Sequence, residues 1–307
     1  MDKANEAIGK ARAELPSIEV KLGEGMKKHT SFKIGGSVRA MYFPQTPRQF
    51  STLYNIVFET FGEGCGAPLI MGNGTNLLVS DEPLDLIVIN TSKLTGIEKT
   101  GELEITAAAG IMLSKLAVFA MEHELKGLEF AHGIPGSLGG AIFMNAGAYG
   151  GEMKDVVQRV TAFAPAAGIK TIERSALDFS YRHSCFCDTG DLVLSSVIKL
   201  QKGEAGEIRT AMDELSVKRR TSQPLDLPSA GSVFKRPKDG YVGAMVEQAG
   251  LKGYSIGGAQ ISEKHAGFIV NKGGATFSDV SRLISHIQET ILKQFGIALE
   301  TEIRIVS

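Results

Sequence analysis

The sequence predicts an α+β fold, and three observations carry that prediction. Strand and helix signals follow one another without the regular strand–helix–strand alternation of a parallel sheet. The short apolar runs are bounded by Gly, Pro or Asn, as strands are. Near the C-terminus, Val280, Leu283, Ile284, Ile287, Ile291 and Phe295 fall on one face at helical spacing, which marks a helix that covers a core. With 43% of 307 residues hydrophobic and 22% charged, the chain has enough apolar mass for two domains.

Residues 4–15 read as a short amphipathic helix, and residues 29–44 as a strand-rich stretch broken at Gly35-Gly36. Thr46 is placed to cap a helix that opens at Pro47 and runs through Phe61. Proline suits a first helical position because its missing N–H would be unpaired there anyway. The apolar runs at 68–71, 86–89 and 103–108 are expected as strands. Residues 112–125 predict a helix with Gly127 just beyond its end. Residues 133–151 are Gly-rich and aperiodic; strand signals return at 156–164 and 192–200, and residues 206–220 read as a polar surface helix. The texture changes after Gln223-Pro224, the candidate domain boundary. Ser278 and Asp279 sit near the start of the C-terminal helix and Gly296 stops it. Thr301 to Val306 alternate as a last strand, with Glu300, Glu302 and Arg304 on one face and Ile303 and Ile305 on the other.

Lys plus Arg is 33 against 34 for Asp plus Glu, a net charge of -1. No basic excess points to nucleic acid or an anionic membrane. No apolar run reaches the roughly 18 residues that span a bilayer, and the N-terminus lacks an apolar signal core. The expected address is the cytoplasm. Cys65, Cys185 and Cys187 are too few and too odd for a disulfide framework. Cys185 and Cys187 lack partners for zinc and read as strand-like residues facing opposite ways; no metal site is expected. His123, His132 and His286 have no paired ligand or nucleophile and read as structural or exposed.

Two glycine-rich segments need an explanation. In Gly72-Asn73-Gly74-Thr75-Asn76, which follows an apolar strand, the glycines let consecutive backbone N–H groups converge on an anion; a tight turn is the other reading. In Gly133-Ile134-Pro135-Gly136-Ser137-Leu138-Gly139-Gly140-Ala141, continuing to Asn145-Ala146-Gly147, the small residues let a backbone approach a flat or phosphorylated ligand, or simply pack closely. Two such segments in one chain favour a dinucleotide-type cofactor. A Walker loop is absent, G-x-G-x-x-G is not met at 72–77 or 133–140, and Pro135 removes a serine-hydrolase elbow.

These segments resemble the flavin-contacting stretches of the UDP-N-acetylenolpyruvoylglucosamine reductases, the MurB family, among vanillyl-alcohol-oxidase-like flavoproteins. His29-Thr30-Ser31-Phe32-Lys33-Ile34-Gly35-Gly36 is similar to their opening motif. Further matches are Phe179-Ser180-Tyr181-Arg182-His183-Ser184, Ser229 through Pro237, Gly250-Leu251-Lys252-Gly253, Ser262 through Phe268, and Leu299 through Arg304. The ordered set runs over nearly the whole chain.

The resemblance implies two α+β subdomains that hold FAD (residues 1–222, split near 85–95), a smaller α/β substrate-binding domain (223–298), and a last strand (299–307) that returns to the FAD-binding region. It also implies NADPH as reductant, a monomer, and UDP-N-acetylglucosamine enolpyruvate as small-molecule substrate. The chain resembles the shorter form of the family, without the extra Tyr-bearing loop after Arg182. Cofactor-binding residues carried over are Gly72, Asn73, Gly74, Thr75, Asn76, Gly133, Ile134, Pro135, Gly136, Ser137, Gly139, Gly140, Ala141, Asn145 and Gly147.

Three residues match the family's catalytic positions. Arg182 would hold the carboxylate and stabilise developing charge. Ser232 would donate the proton. Glu302, if protonated, would donate a hydrogen bond to the enolate. Read without the family, these are a turn arginine, a turn serine and a solvated strand face. Lys235, Arg236 and His265 match positions near the substrate's diphosphate and carboxylate, although the longer form usually has Asn where Arg236 stands. The alternatives are another FAD oxidoreductase of the superfamily, a non-catalytic nucleotide-binding protein and, disfavoured by the missing elbow, a serine hydrolase.

Overall fold

The computed structural model describes residues 2–62, 67–165, 167–238 and 240–307; Cys65 lies outside the described residues. The chain divides into two compact units. The first gathers Met1–Leu22, Arg39–Asn73 and Asp85–Lys218; the second gathers Gly23–Val38, Gly74–Leu84 and Arg219–Ser307.

The first unit contains two larger sheets and their helices, as the α+β reading expects. Helix α1 (Lys3–Glu14) packs on α2 (Pro47–Phe61). Thr46 caps α2 by accepting from the Gln49 amide, with Pro47 in the first turn. A four-stranded sheet, in the order Glu19–Leu22, Val38–Phe43, Leu84–Asn90, Leu69–Met71, lies against these helices. Its core joins Ala40, Tyr42, Ile87 and Ile89 to Phe50, Leu53 and Val57. Burying each Leu, Ile or Phe stabilises by about 1.5–3 kcal/mol. The Tyr42 hydroxyl is pushed up to about 12 by burial.

A second, wholly antiparallel sheet runs Gly168–Glu173, Val157–Ala164, Leu192–Lys199, Glu104–Ala108, Ile97–Lys99. Helices α3 (Leu113–Glu122) and α4 (Leu138–Phe143) share its core through Leu113, Leu116, Leu138 and Ile142. The short α5 (Met153–Val156) and α6 (Phe186–Thr189) add Met153 and Phe186. Helix α7 (Ala205–Ser222) adds Ile208 and Met212.

The second unit is built on α9 (Phe277–Phe295), which buries Val280, Leu283, Ile284, Ile287 and Ile291. Thr276 and Asp279 form a capping box at its start, and Gly296 ends it at φ 69. A three-stranded antiparallel sheet (Ser255–Ile256, Ala259–Ile261, Ile269–Asn271) and α8 (Val242–Gln248) pack against it. Arg304–Val306 pairs in parallel with Leu77–Val79.

Four local expectations change. Helix α3 stops at Glu122, because His123 caps it and Glu124 turns left-handed (φ 57), so Gly127 is not its stop. Only Val38–Phe43 of residues 29–44 is strand; Gly35 and Gly36 carbonyls accept from Lys27 and Met26 in a folded-back turn. Cys185 lies just before a helical turn and Cys187, which is exposed, lies on it, so neither is in a strand. The last strand is confined to Arg304–Val306, since residues 300–302 pair elsewhere, with 233–235. That change of partner breaks the alternation: Ile303 is 3% exposed and Ile305 44%. Among the described residues no helix is long and apolar enough to cross a membrane.

Candidate active site

In the first unit the two glycine segments meet. Residues 136–139 run beside 109–113: Leu113 N–H donates to the Gly136 carbonyl (3.1 Å), Leu138 to Ile111 (2.8 Å) and Gly139 to Ala109 (2.8 Å). Gly72 lies directly on Ser137, where any Cβ would overlap the serine hydroxyl. Asn73 sends its side-chain amide to the Met112 sulfur. Gly139 and Gly147 serve close packing, since a Cβ would fall 2.9 Å from Ala109 Cβ or 2.6 Å from Glu152 Cγ. Ile134 packs on the core, Ala141 is buried in it and Pro135 is exposed. The amides of Gly133, Gly136, Ser137 and Gly140 donate to no protein acceptor among the described residues.

Arg182 sits two residues into a tight turn in which Ser180 and His183 exchange backbone hydrogen bonds (3.1 and 3.3 Å). Its φ is 55, a left-handed conformation that costs a non-glycine residue about 1 kcal/mol or more. The guanidinium lies 5.1 Å from the Tyr181 ring. Side chains hold the turn on both flanks. Ser184, fully buried, donates to the Phe143 carbonyl (2.6 Å), and Asn145 donates to the Ser180 carbonyl (2.9 Å). Asn145 also donates to Glu152 Oε2 (2.9 Å) and accepts from the Lys154 amide (2.9 Å), so its side chain is committed within the protein. The Glu152 carboxyl is held below its ordinary value, first by the Lys154 hydrogen bond and further by Asn145 and the Arg182 charge.

In the second unit, backbone does this work. Val233 donates to the Gly267 carbonyl (3.0 Å), Glu302 to the Val233 carbonyl (2.8 Å), and Lys235 to the Glu300 carbonyl (2.9 Å). Ser232 is therefore on the middle of three paired segments, with Glu302 on one neighbour and Phe268 bridged on the other. Ser232 Oγ donates to the Phe234 carbonyl (3.2 Å). Buried Ala230, Val233 and Phe234 fix the segment while Ser232 stays partly accessible. Gly267 separates two side chains: a Cβ there would stand 3.8 Å from Ser232 Oγ and 3.1 Å from His265 Nδ1.

His265 Nδ1 accepts from the Gly267 amide (3.1 Å), which leaves the proton on Nε2, and burial holds its pKa below the ordinary value. Lys235 pairs with Glu300, and Arg236 lies 4.4 Å over the Tyr241 ring. Asn76 ties the first glycine loop to the chain end: its side chain donates to the Glu302 carbonyl (3.0 Å) and its own carbonyl accepts from Arg304 (2.9 Å). Gly74 turns left-handed (φ 61), and the amides of Gly74, Thr75 and Asn76 donate to no protein acceptor among the described residues. Consecutive open amides of this kind bind phosphate, so the donor set fits a dinucleotide diphosphate.

The profile of the UDP-N-acetylenolpyruvoylglucosamine reductase C-terminal domain matches residues 223–306, and that of an FAD binding domain matches residues 66–172. The chain is 46% identical over 299 residues to the UDP-N-acetylenolpyruvoylglucosamine reductase of Caldanaerobacter subterraneus subsp. tengcongensis, covering 97% of each. It is 45% identical over 293 residues to that of Limosilactobacillus reuteri, covering 95% of this chain and 97% of the relative. This chain belongs to the UDP-N-acetylenolpyruvoylglucosamine reductases.

The crystal structure of the Thermus caldophilus reductase matches it with a TM-score of 0.79 at 32% identity, over 94% of this chain and 99% of that one. As a member of that family the chain is an FAD-dependent, NADPH-using oxidoreductase of peptidoglycan precursor synthesis. Within this reductase, the structure brings Gly72 onto Ser137, Asn145 onto the Arg182 turn, and Ser232 beside the Glu302 segment. Sequence reasoning missed the anchors Phe143, Glu152 and Ser184. Glu152 carries one readable signal: with Asp155 it forms a reciprocal cap at the start of α5.

Proposed function

We propose that this reductase divides its chemistry between three side chains: Arg182 for the substrate carboxylate, Ser232 for proton delivery and Glu302 for the developing enolate. The substrate is UDP-N-acetylglucosamine enolpyruvate and the product UDP-N-acetylmuramate. Bound FAD supplies hydride transfer from NADPH to the terminal alkene carbon. That addition places negative charge on the neighbouring carbon and the carboxylate. Arg182, with a planar fork of donors, neutralises it. Ser232 then delivers a proton to the same carbon, and Glu302 hydrogen-bonds the enolate oxygen. His265, neutral with its proton on Nε2, serves as a donor to the substrate, and Lys235 and Arg236 face its diphosphate. Gly72–Asn76 and Gly133–Ala141, with Gly147 and the main chain of Asn145, form the FAD cradle within residues 1–222. Residues 223–298 bind substrate and residues 299–307 return to the FAD-binding region. The enzyme acts as a monomer in the cytoplasm.

The observation that carries this reading is the pairing of the Ser232 and Glu302 segments through the Val233 carbonyl. It supports placing a proton donor and an acid on neighbouring segments. Ser232→Ala tests it. The variant is expected to accept hydride from NADPH at the normal rate while substrate reduction falls by about 10²–10⁴-fold, the span of general acid catalysis. Unchanged turnover removes Ser232 from the mechanism.

A further inference from the structure

We propose that Asn145 is a positioning residue for Arg182, acting through the Ser180 carbonyl and Glu152; the proposal rests on Arg182 holding the substrate carboxylate. Asn145 is 1% exposed and left-handed at φ 44. Such a conformation persists where the surroundings over-determine it, and here every polar side-chain group of Asn145 is spent. One donor reaches the Ser180 carbonyl and the other the Glu152 carboxylate, while Oδ1 accepts from the Lys154 amide.

One of these bonds holds the Arg182 turn directly, and a second holds Glu152, whose charge acts on Arg182. Ser180 is its first residue, and Arg182 follows two residues later at φ 55. Phe143, two residues before Asn145, accepts from Ser184 on the other side of the same turn. Residues 143–145 thus grip both flanks, and Arg182 lies between the two gripped positions. Glu152, held by Asn145 and ion-paired with Lys154 (2.7 Å), adds a fixed negative charge whose field reaches Arg182. A long flexible cation is thereby given a defined exit from a strained turn. Small misplacements of such a group cost large factors in rate.

The test compares two ligands on the FAD-loaded protein. UDP-N-acetylmuramate carries the lactyl carboxylate; UDP-N-acetylglucosamine does not. Arg182→Lys sets the scale: it is expected to weaken the first ligand about 10-fold and leave the second unchanged. Asn145→Asp turns a donor into a negative acceptor facing the Ser180 carbonyl and Glu152. It is expected to weaken the carboxylate ligand alone by about 10-fold, and to add nothing to Arg182→Lys in the double variant. Flavin content, read by absorbance, stays at the wild-type level.

Glu152→Gln keeps an acceptor for Asn145 and removes the charge. It is expected to act in the same direction with a smaller effect, and it carries the test if Asn145→Asp does not fold. Equal weakening of both ligands, or additivity with Arg182→Lys, overturns the proposal. Loss of flavin with intact ligand discrimination overturns it too, and returns Asn145 to the cofactor. An Arg182→Lys protein that discriminates the ligands like wild type instead overturns the reading of Arg182 itself.

Discussion

Arg182 and Ser232 sit in backbones of opposite character. In the first unit Arg182 occupies a left-handed turn outside any sheet, and the turn is fixed by side chains: Asn145 on Ser180, Ser184 on Phe143. In the second unit Ser232 lies on an extended segment paired on both sides by main-chain hydrogen bonds. A placement made by backbone survives most single side-chain changes, because no side chain supplies its bonds. A placement made by buried side-chain hydrogen bonds fails when one partner is removed, since the group left behind stays desolvated. The difference says where mutations should be felt: broadly around Arg182, narrowly around Ser232.

The sharpest way to break this comparison is at Gly72, where the first unit depends on the absence of a side chain. Gly72→Val is expected to force Ser137 off its place and destabilise by about 1–3 kcal/mol, the range for overpacking. Flavin content should fall with it, because Ser137 and Gly136 carry open amides beside that contact. Gly72→Ala combined with Ser137→Ala removes the overlapping hydroxyl and should recover much of the loss. Thermal melting and flavin absorbance check both. A Gly72→Val protein with normal melting would mean the Ser137 contact relaxes freely.

Helix α9 sharpens the comparison from the other side. In the second unit Thr276 accepts from the Asp279 amide (3.1 Å), and the Asp279 carboxylate accepts from the Thr276 amide (3.0 Å) and, at longer range, from the Gly258 amide (3.3 Å). In the first unit Thr46 makes a single bond to Gln49 (3.1 Å). Thr276→Ala is therefore expected to cost about 1–2 kcal/mol and Thr46→Ala about 0.5–1 kcal/mol, within the range for lost caps. Denaturant midpoints give both; the reverse order would show that the reciprocal bond adds nothing.

These caps also mark what was legible in the sequence. Thr46-Pro47 and the apolar face from Val280 to Phe295 are local signals, and both helices form where the pattern places them. Helix α3 ends early because Glu124 turns left-handed, which no helical periodicity reveals. The last strand was legible as extended chain, but not its change of partner from 233–235 to 77–79, which depends on residues far away in sequence. The same limit applies to the compact second unit, whose segments 23–38 and 74–84 join the C-terminal region only through tertiary pairing. At the site, residue types could be matched to a family motif by motif. The Asn145 grip on Ser180 spans 35 positions, and sequence spacing carries no trace of it.

The smallest expected effect separates the units by pH. Burial holds the His265 pKa below the ordinary 6.5, so between the two values the unfolded chain binds a proton that the folded chain refuses. Its contribution to stability is complete above about 6.5 and is lost as pH falls through the lower folded value. In the first unit Glu152 is depressed below 4.5, chiefly by Lys154, and its contribution is lost only in the more acidic window beneath that value. Between pH of roughly 6.5 and 5, the second unit should therefore weaken while Glu152 stays silent. His265→Asn keeps an acceptor for the Gly267 amide and removes the titration. Denaturant midpoints at both ends of that window should fall less for His265→Asn than for wild type. Equal slopes would leave His265 out of the acid response.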